Sequence, residues 1–145
     1  MKLLHALTAG LAGAITLTVA HQILQKLSDD APRMDLLGEE ALLKIADKTA
    51  TEIPEKHLYK ITMAADVASN TLFYSLAAPG KRQHATVRGG LLGFTAGVGG
   101  VCLPKYLGLN NAHSNRTTKT KLLTMAIYTL GGWVSGKVAA KLGKR

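Results

Sequence analysis

The chain has 145 residues, the length of one ordinary domain. Apolar residues make up 47% and charged residues 19%, against ~25% charged in a typical globular chain, which excludes a disordered polymer. A single cysteine excludes a disulfide scaffold, and a net charge of +9 narrows the partners to nucleic acid or an anionic membrane surface.

The distribution of charge separates those two. Eight of the nine acids lie within residues 29–55, the ninth is Asp66, and bases continue alone to the end. The bases flank apolar runs, and only seven residues are aromatic, few for stacking on single strands. The expectation is bases bordering membrane segments, with no nucleic-acid partner.

The first run, residues 3–25, carries no Lys, Arg, Asp or Glu. At ~1.5 Å per residue it crosses a hydrocarbon core of about 30 Å. Lys2 and Thr18-Val19-Ala20 also fit a signal peptide, but the run exceeds the ~7–15 residues of a signal core, so a retained span is expected. Residues 34–49 then read as an amphipathic helix, with Met34, Leu37, Ala41, Leu42 and Ile45 on one face. That helix fits a place on the membrane surface or against a partner.

The second run covers about 58–78 and closes at Pro79-Gly80. The third covers about 86–107, with Arg88 and Lys105 placed to snorkel at its two ends. A polar loop follows over 108–121, and the fourth run covers about 121–140. No run alternates with period two, as a β-barrel requires. The fold class is therefore all-α: a membrane-embedded bundle of four transmembrane helices plus one interfacial amphipathic helix, in a single domain. Mean hydropathy barely above zero leaves a basic soluble helical domain as the alternative.

Four spans put both termini on one side. The dense bases of the 79–88 loop and of the C-terminal tail place that side in the cytoplasm.

Glycines recur at helical spacing. Gly89, Gly93 and Gly97 line one face of the third run, and Gly100 extends it. Gly132 and Gly136 repeat the pattern in the fourth, and Gly10 and Ala14 begin a small-residue face in the first. In lipid such faces let backbones approach closely. Packing within the chain is favoured over a homo-oligomer or a larger membrane complex. A dinucleotide-binding loop is excluded, because no strand precedes these glycines.

Asp66 lies about 10 Å into the second run at ~1.5 Å per residue. Intramembrane carboxylates are expensive and point to function or to helix gluing. Thr62, Asp66 and Asn70 share a face. Hairpin geometry sets His21 level with Asp66, so a His21–Asp66 contact is expected, with Lys60 and Lys105 as other partners. Arg88, placed near Tyr74 and Asn70, reads as a headgroup anchor, and so does Lys137. Cys102 reads as inert core. No metal-ligand spacing, nucleophile motif or cofactor motif is present, so no metal, cofactor or catalytic residue is expected.

Residues 66–74 (DVASNTLFY), 88–93 (RGGLLG) and 103–109 (LPKYLGL) resemble small uncharacterised bacterial four-span integral membrane proteins. In that group a Gly-rich third span runs into a Leu-Pro…Leu-Gly-Leu exit. The resemblance covers about 60–140. It implies an inner-membrane location and a helical bundle, and no activity. The functional expectation is a non-enzymatic accessory or scaffold protein packing through its Gly faces. The alternative is a small transporter or channel component using Asp66.

Overall fold

Six helices form where the chain's own signals start and stop them. A computed structural model describes residues 3–143, and among these the chain is helical with no strand. The helices are α1 (Leu3–Leu27), α2 (Met34–Lys48), α3 (Glu55–Ser75), α4 (Ala85–Tyr106), α5 (Ala112–Asn115) and α6 (Thr118–Leu142). Lys2 of the signal-peptide reading, and Lys144 and Arg145 of the basic tail, lie outside the described residues.

The boundaries differ from the sequence expectation where capping prevails over hydropathy. α3 begins at Glu55, directly after Pro54, and ends at Ser75 rather than 78. Gly80 at φ 88° then turns the chain, a left-handed conformation that glycine adopts without strain. α6 begins at Thr118 because the Thr117 side chain accepts the Thr120 N–H at 3.0 Å. The loop expected over 108–121 contains α5.

α6 is the central helix. It packs along α4 on one side and α1 on the other, and α3 packs on α1. The lateral order is therefore α3–α1–α6–α4, with α3 and α4 barely touching. α2 crosses α3, where Gly38 admits the Thr62 methyl: a Cβ at Gly38 would lie 2.8 Å from it.

Two helices are long and apolar enough to cross a membrane, Leu3–Leu27 and, with its leading 3-10 turn, Arg82–Tyr106. α3 and α6 carry more charge, so the apolarity expected of four spans is met by two.

The interior is built of small and hydroxylated residues. The largest fully buried side chains are Tyr74, Thr120, Thr124, Pro32, Ser114 and Ser135. Large aliphatic residues point outward instead. Leu11, Ile15, Val19, Ile23 and Leu27 form an exposed line along α1 at spacing four, and Val87, Leu91 and Phe94 are exposed on α4. Soluble domains do the reverse, because burying such side chains drives their folding. Here close backbone approach, with its dispersion attraction, holds the helices together.

Candidate functional site

The glycine faces are the tightest contacts in the molecule. A Cβ on Gly89 would overlap the Gly132 carbonyl oxygen, and one on Gly132 would overlap that of Gly89. Gly93 lies against the Tyr128 carbonyl and Gly136 against that of Ala85. A Cβ on Gly97 would come within 2.7 Å of the Met125 Cα. Together these five make the α4–α6 crossing. Gly10 meets the α3 backbone at Thr71 and Ser75, and Ala14 is fully buried. Gly100 departs from its expected role: a Cβ there would meet only side chains of Met34, Thr124 and Tyr128, at ordinary distances of 3.5–3.9 Å.

A second small face was not evident in the sequence. Gly13 of α1 meets Gly131 and Ser135 of α6, where a Cβ on Gly13 would lie 2.6 Å from the Gly131 oxygen. The available signal was the Gly131-Gly132 doublet, which gives α6 a small residue toward each neighbour.

Asp66 opens into a cleft of about 500 Å³ between α3 and α4. Asp66 and Phe73 line the α3 wall. Ala96, Gly99, Gly100, Leu103 and Pro104 line the α4 wall, and Tyr128 of α6 lies between them. Met34, Leu37, Gly38 and Ala41 of α2 close one end. Asp66 is the only charged residue in this lining. Its Oδ1 accepts a 3.0 Å hydrogen bond from the Asn70 side chain, which also donates to the Asp66 carbonyl. Thr62 is buried, Asp66 and Asn70 are half-buried, and Ser69 is exposed.

His21 and Asp66 lie near one another, and no hydrogen bond joins them directly. His21 is buried, and its Nε2 lies 2.6 Å from the Pro32 carbonyl. The Gln25 side-chain nitrogen lies 3.0 Å from the same Nε2, and the Met34 backbone N–H points at it from 3.3 Å, so this ring nitrogen joins α1 to the start of α2 and its role at each contact follows the tautomer. The α1–α2 connection thus captures the imidazole first. His21 and Asp66 instead border a common void of about 10 Å³, room for one water molecule. Thr18 and Thr62 also line it, and their buried hydroxyl oxygens have no hydrogen-bond partner. Neither Lys60 nor Lys105 pairs with Asp66 among the described residues; Lys105 lies over the Tyr106 ring.

α2 is held on the chain itself. The Glu40 carboxylate accepts the Asn110 N–H at 3.0 Å, and Lys44 Nζ donates to the Leu107 carbonyl at 2.6 Å. Gln25 of α1 donates to Asp35 at 2.8 Å, and Arg33 pairs with the same carboxylate. Burial pushes the Asp35 carboxyl up, but the Arg33 guanidinium and the Gln25 amide outweigh it and hold it below the usual carboxylate range. Met34, Leu37 and Ala41 face inward as expected, whereas Ile45 is 60% exposed and Ala46 takes the buried place. Only Met34, Leu37, Gly38 and Ala41, in the first half of α2, lie over the cleft.

Arg88 does not reach toward Asn70. Its Nε and Nη2 donate to the Ala77 carbonyl at 3.2 and 3.0 Å, and its Nη1 to the Lys81 carbonyl. It ties down the chain just after α3, satisfying carbonyls that a helix end leaves open. Lys137 sits 4.2 Å from the Trp133 ring centroid, a cation–π contact. Cys102 is exposed rather than core, because α4 turns its opposite face, with Val101 and Pro104, inward.

Comparison with protein-family models, curated proteins and solved structures finds no match to this chain. The functional reading therefore rests on the geometry of the cleft and of the helix surfaces.

Proposed function

We propose that the chain is a small integral membrane protein in which α1, α3, α4 and α6 all cross the bilayer and α2 lies at the interface. The inverted distribution of side chains carries this reading: small and hydroxylated residues inside, Leu, Ile, Val and Phe outside. An outer surface of that kind aggregates in water and is at rest in lipid. α6 belongs with the spans because it is packed between the two apolar ones, and its Thr124 and Ser135 hydroxyls bond inward. A bacterial inner membrane with cytoplasmic termini fits the clustered bases.

Within that frame the protein acts without bond chemistry of its own, as a small transport or ligand-holding component built around the cleft at Asp66. The scaffold reading has less to stand on, because Gly89, Gly93, Gly97, Gly132 and Gly136 all meet the chain's own backbone and leave no Gly face for a partner in the α4–α6 crossing.

The test is sidedness in the full chain. Single cysteines at Asp29, Lys81 and Asn110, each in a Cys102→Ser background, are labelled with an impermeant maleimide in intact and everted vesicles. Lys81→Cys labelling from the cytoplasmic side, with Asp29→Cys and Asn110→Cys labelling from the opposite side, is the expected result. Labelling of all three from one side, or release of the protein by alkaline carbonate, would sink the four-span reading.

A further inference from the structure

Asp66 is a carboxylate in no ion pair among the described residues. The ion pairs among the described residues join Arg33 to Asp35, His113 to Glu40, and Arg116 and Lys119 to Asp30. The Asp66 side chain receives one hydrogen bond, from the neutral Asn70 amide. His21 of α1 makes no hydrogen bond to Asp66; its Nε2 lies against the Pro32 carbonyl, the Gln25 amide and the Met34 N–H. An unpaired carboxylate beside apolar walls is costly as an anion, so such a site demands a counter-charge or a proton.

The cleft limits what can bring that charge. A hard metal ion requires about six oxygen ligands, and this lining offers one carboxylate among Phe73, Leu103, Ala96 and Tyr128. A neutral apolar guest or an acyl chain fills the walls and leaves the carboxylate buried without a partner. An anion is repelled. A guest that satisfies both features has an apolar body and a single diffuse positive charge. The volume of about 500 Å³ lies inside the ~300–1,000 Å³ range of small-molecule pockets. Phe73 and Tyr128 present aromatic rings in the same lining, and ring faces attract organic cations.

We propose that the α3–α4 cleft binds an amphiphilic organic monocation, an ammonium or phosphonium on an aromatic or aliphatic body, with Asp66 as its counter-ion. This names the ligand class of the site proposed above and rests on that reading of the cleft as the working part of the protein.

Two ions of the same shape and opposite charge test it. Binding of tetraphenylphosphonium and of tetraphenylborate to the full-length protein in nanodiscs is measured by equilibrium dialysis against protein-free nanodiscs. The expected result is saturable, one-to-one binding of the phosphonium, with the borate weaker by about ten-fold or more. Asp66→Asn retains the volume and an acceptor for Asn70, and is expected to weaken the phosphonium by a similar factor while leaving the borate unchanged. Gly100→Leu, whose side chain grows among Met34, Thr124 and Tyr128 at the cleft wall, is expected to weaken the phosphonium as well. Gel filtration and thermal unfolding establish that both variants fold. Equal binding of the two ions, an unaltered affinity in Asp66→Asn, or no saturable excess over protein-free nanodiscs each overturns the proposal. The last outcome is that of a cleft holding only acyl chains. Release by carbonate instead refutes the membrane reading alone, because the dialysis comparison can then be run on the soluble monomer.

Discussion

The Tyr74 hydroxyl donates a 2.8 Å hydrogen bond to the backbone carbonyl of Tyr128, 54 residues away. The ring reaches α6 through a gap that exists only because Gly13 and Gly131 lack side chains; a Cβ on either would come within about 3.0 Å of it. Ser135 returns the tie, donating to the Tyr74 carbonyl at 3.0 Å. Tyr74 is thus the strut that joins α3 to α6 past α1. Tyr74→Phe removes one buried hydrogen bond and is expected to destabilise by about 1 kcal/mol. Tyr74→Ala also opens a cavity and is expected to lose about 3–5 kcal/mol. Unfolding in mixed micelles with increasing SDS measures both; equal losses would show that packing alone matters here.

The α4–α6 crossing makes a sharper contrast. Gly93→Leu forces the helices apart at the Tyr128 carbonyl and is expected to lose at least about 1–3 kcal/mol. Gly90 is its control. It is one helical position from Gly89, yet a Cβ there meets nothing within 4 Å. Gly90→Ala is expected to be neutral or to stabilise by up to about 1 kcal/mol through helix propensity. Similar melting temperatures for Gly93→Leu and wild type would refute the crossing.

His21 anchors the α1–α2 connection rather than serving Asp66. His21→Phe fills much of the same space and removes the Nε2 that meets the Pro32 carbonyl, the Gln25 amide and the Met34 N–H. The expected loss is about 1–3 kcal/mol, the penalty for a buried polar group left unsatisfied. Hydrogen exchange localises it: faster exchange in α2, with α4 and α6 unchanged, is the expected pattern.

Asp35 predicts a pH response. Its carboxyl is held below the usual range in the folded protein, so its charged form is favoured by folding. That contribution is complete above the ordinary carboxylate pKa and is lost as pH falls through the depressed folded value. Asp35→Asn is expected to lower the melting temperature at pH 7, and the gap to wild type is expected to close in acid. A gap that stays constant with pH would assign the effect to packing.

Helix positions were legible in the chain because hydrophobic periodicity is local, although the outward line on α1 was not singled out there. Leu11, Ile15, Val19, Ile23 and Leu27 recur at spacing four whatever they pack against. The Gly89-Gly93-Gly97 and Gly132-Gly136 faces were readable for the same reason. Their mutual contact was not, since spacing within a helix does not state which helix it meets. Gly13 and Gly131 went unread because they meet each other across two helices and form no repeat within either, and Gly38 because it stands alone on α2.

The sequence by itself determined that this chain makes long helices with small, polar inner faces and a basic balance displaced toward its second half. Only the tertiary structure decided what those faces enclose. It set α6 between α1 and α4, gave His21 to Pro32, turned Arg88 onto Ala77 and left Asp66 bordering an apolar cleft. Those outcomes depend on how helices distant in sequence rotate and dock. One helical position, about 100° of rotation, is enough to move a carboxylate from a packed seam to an open wall.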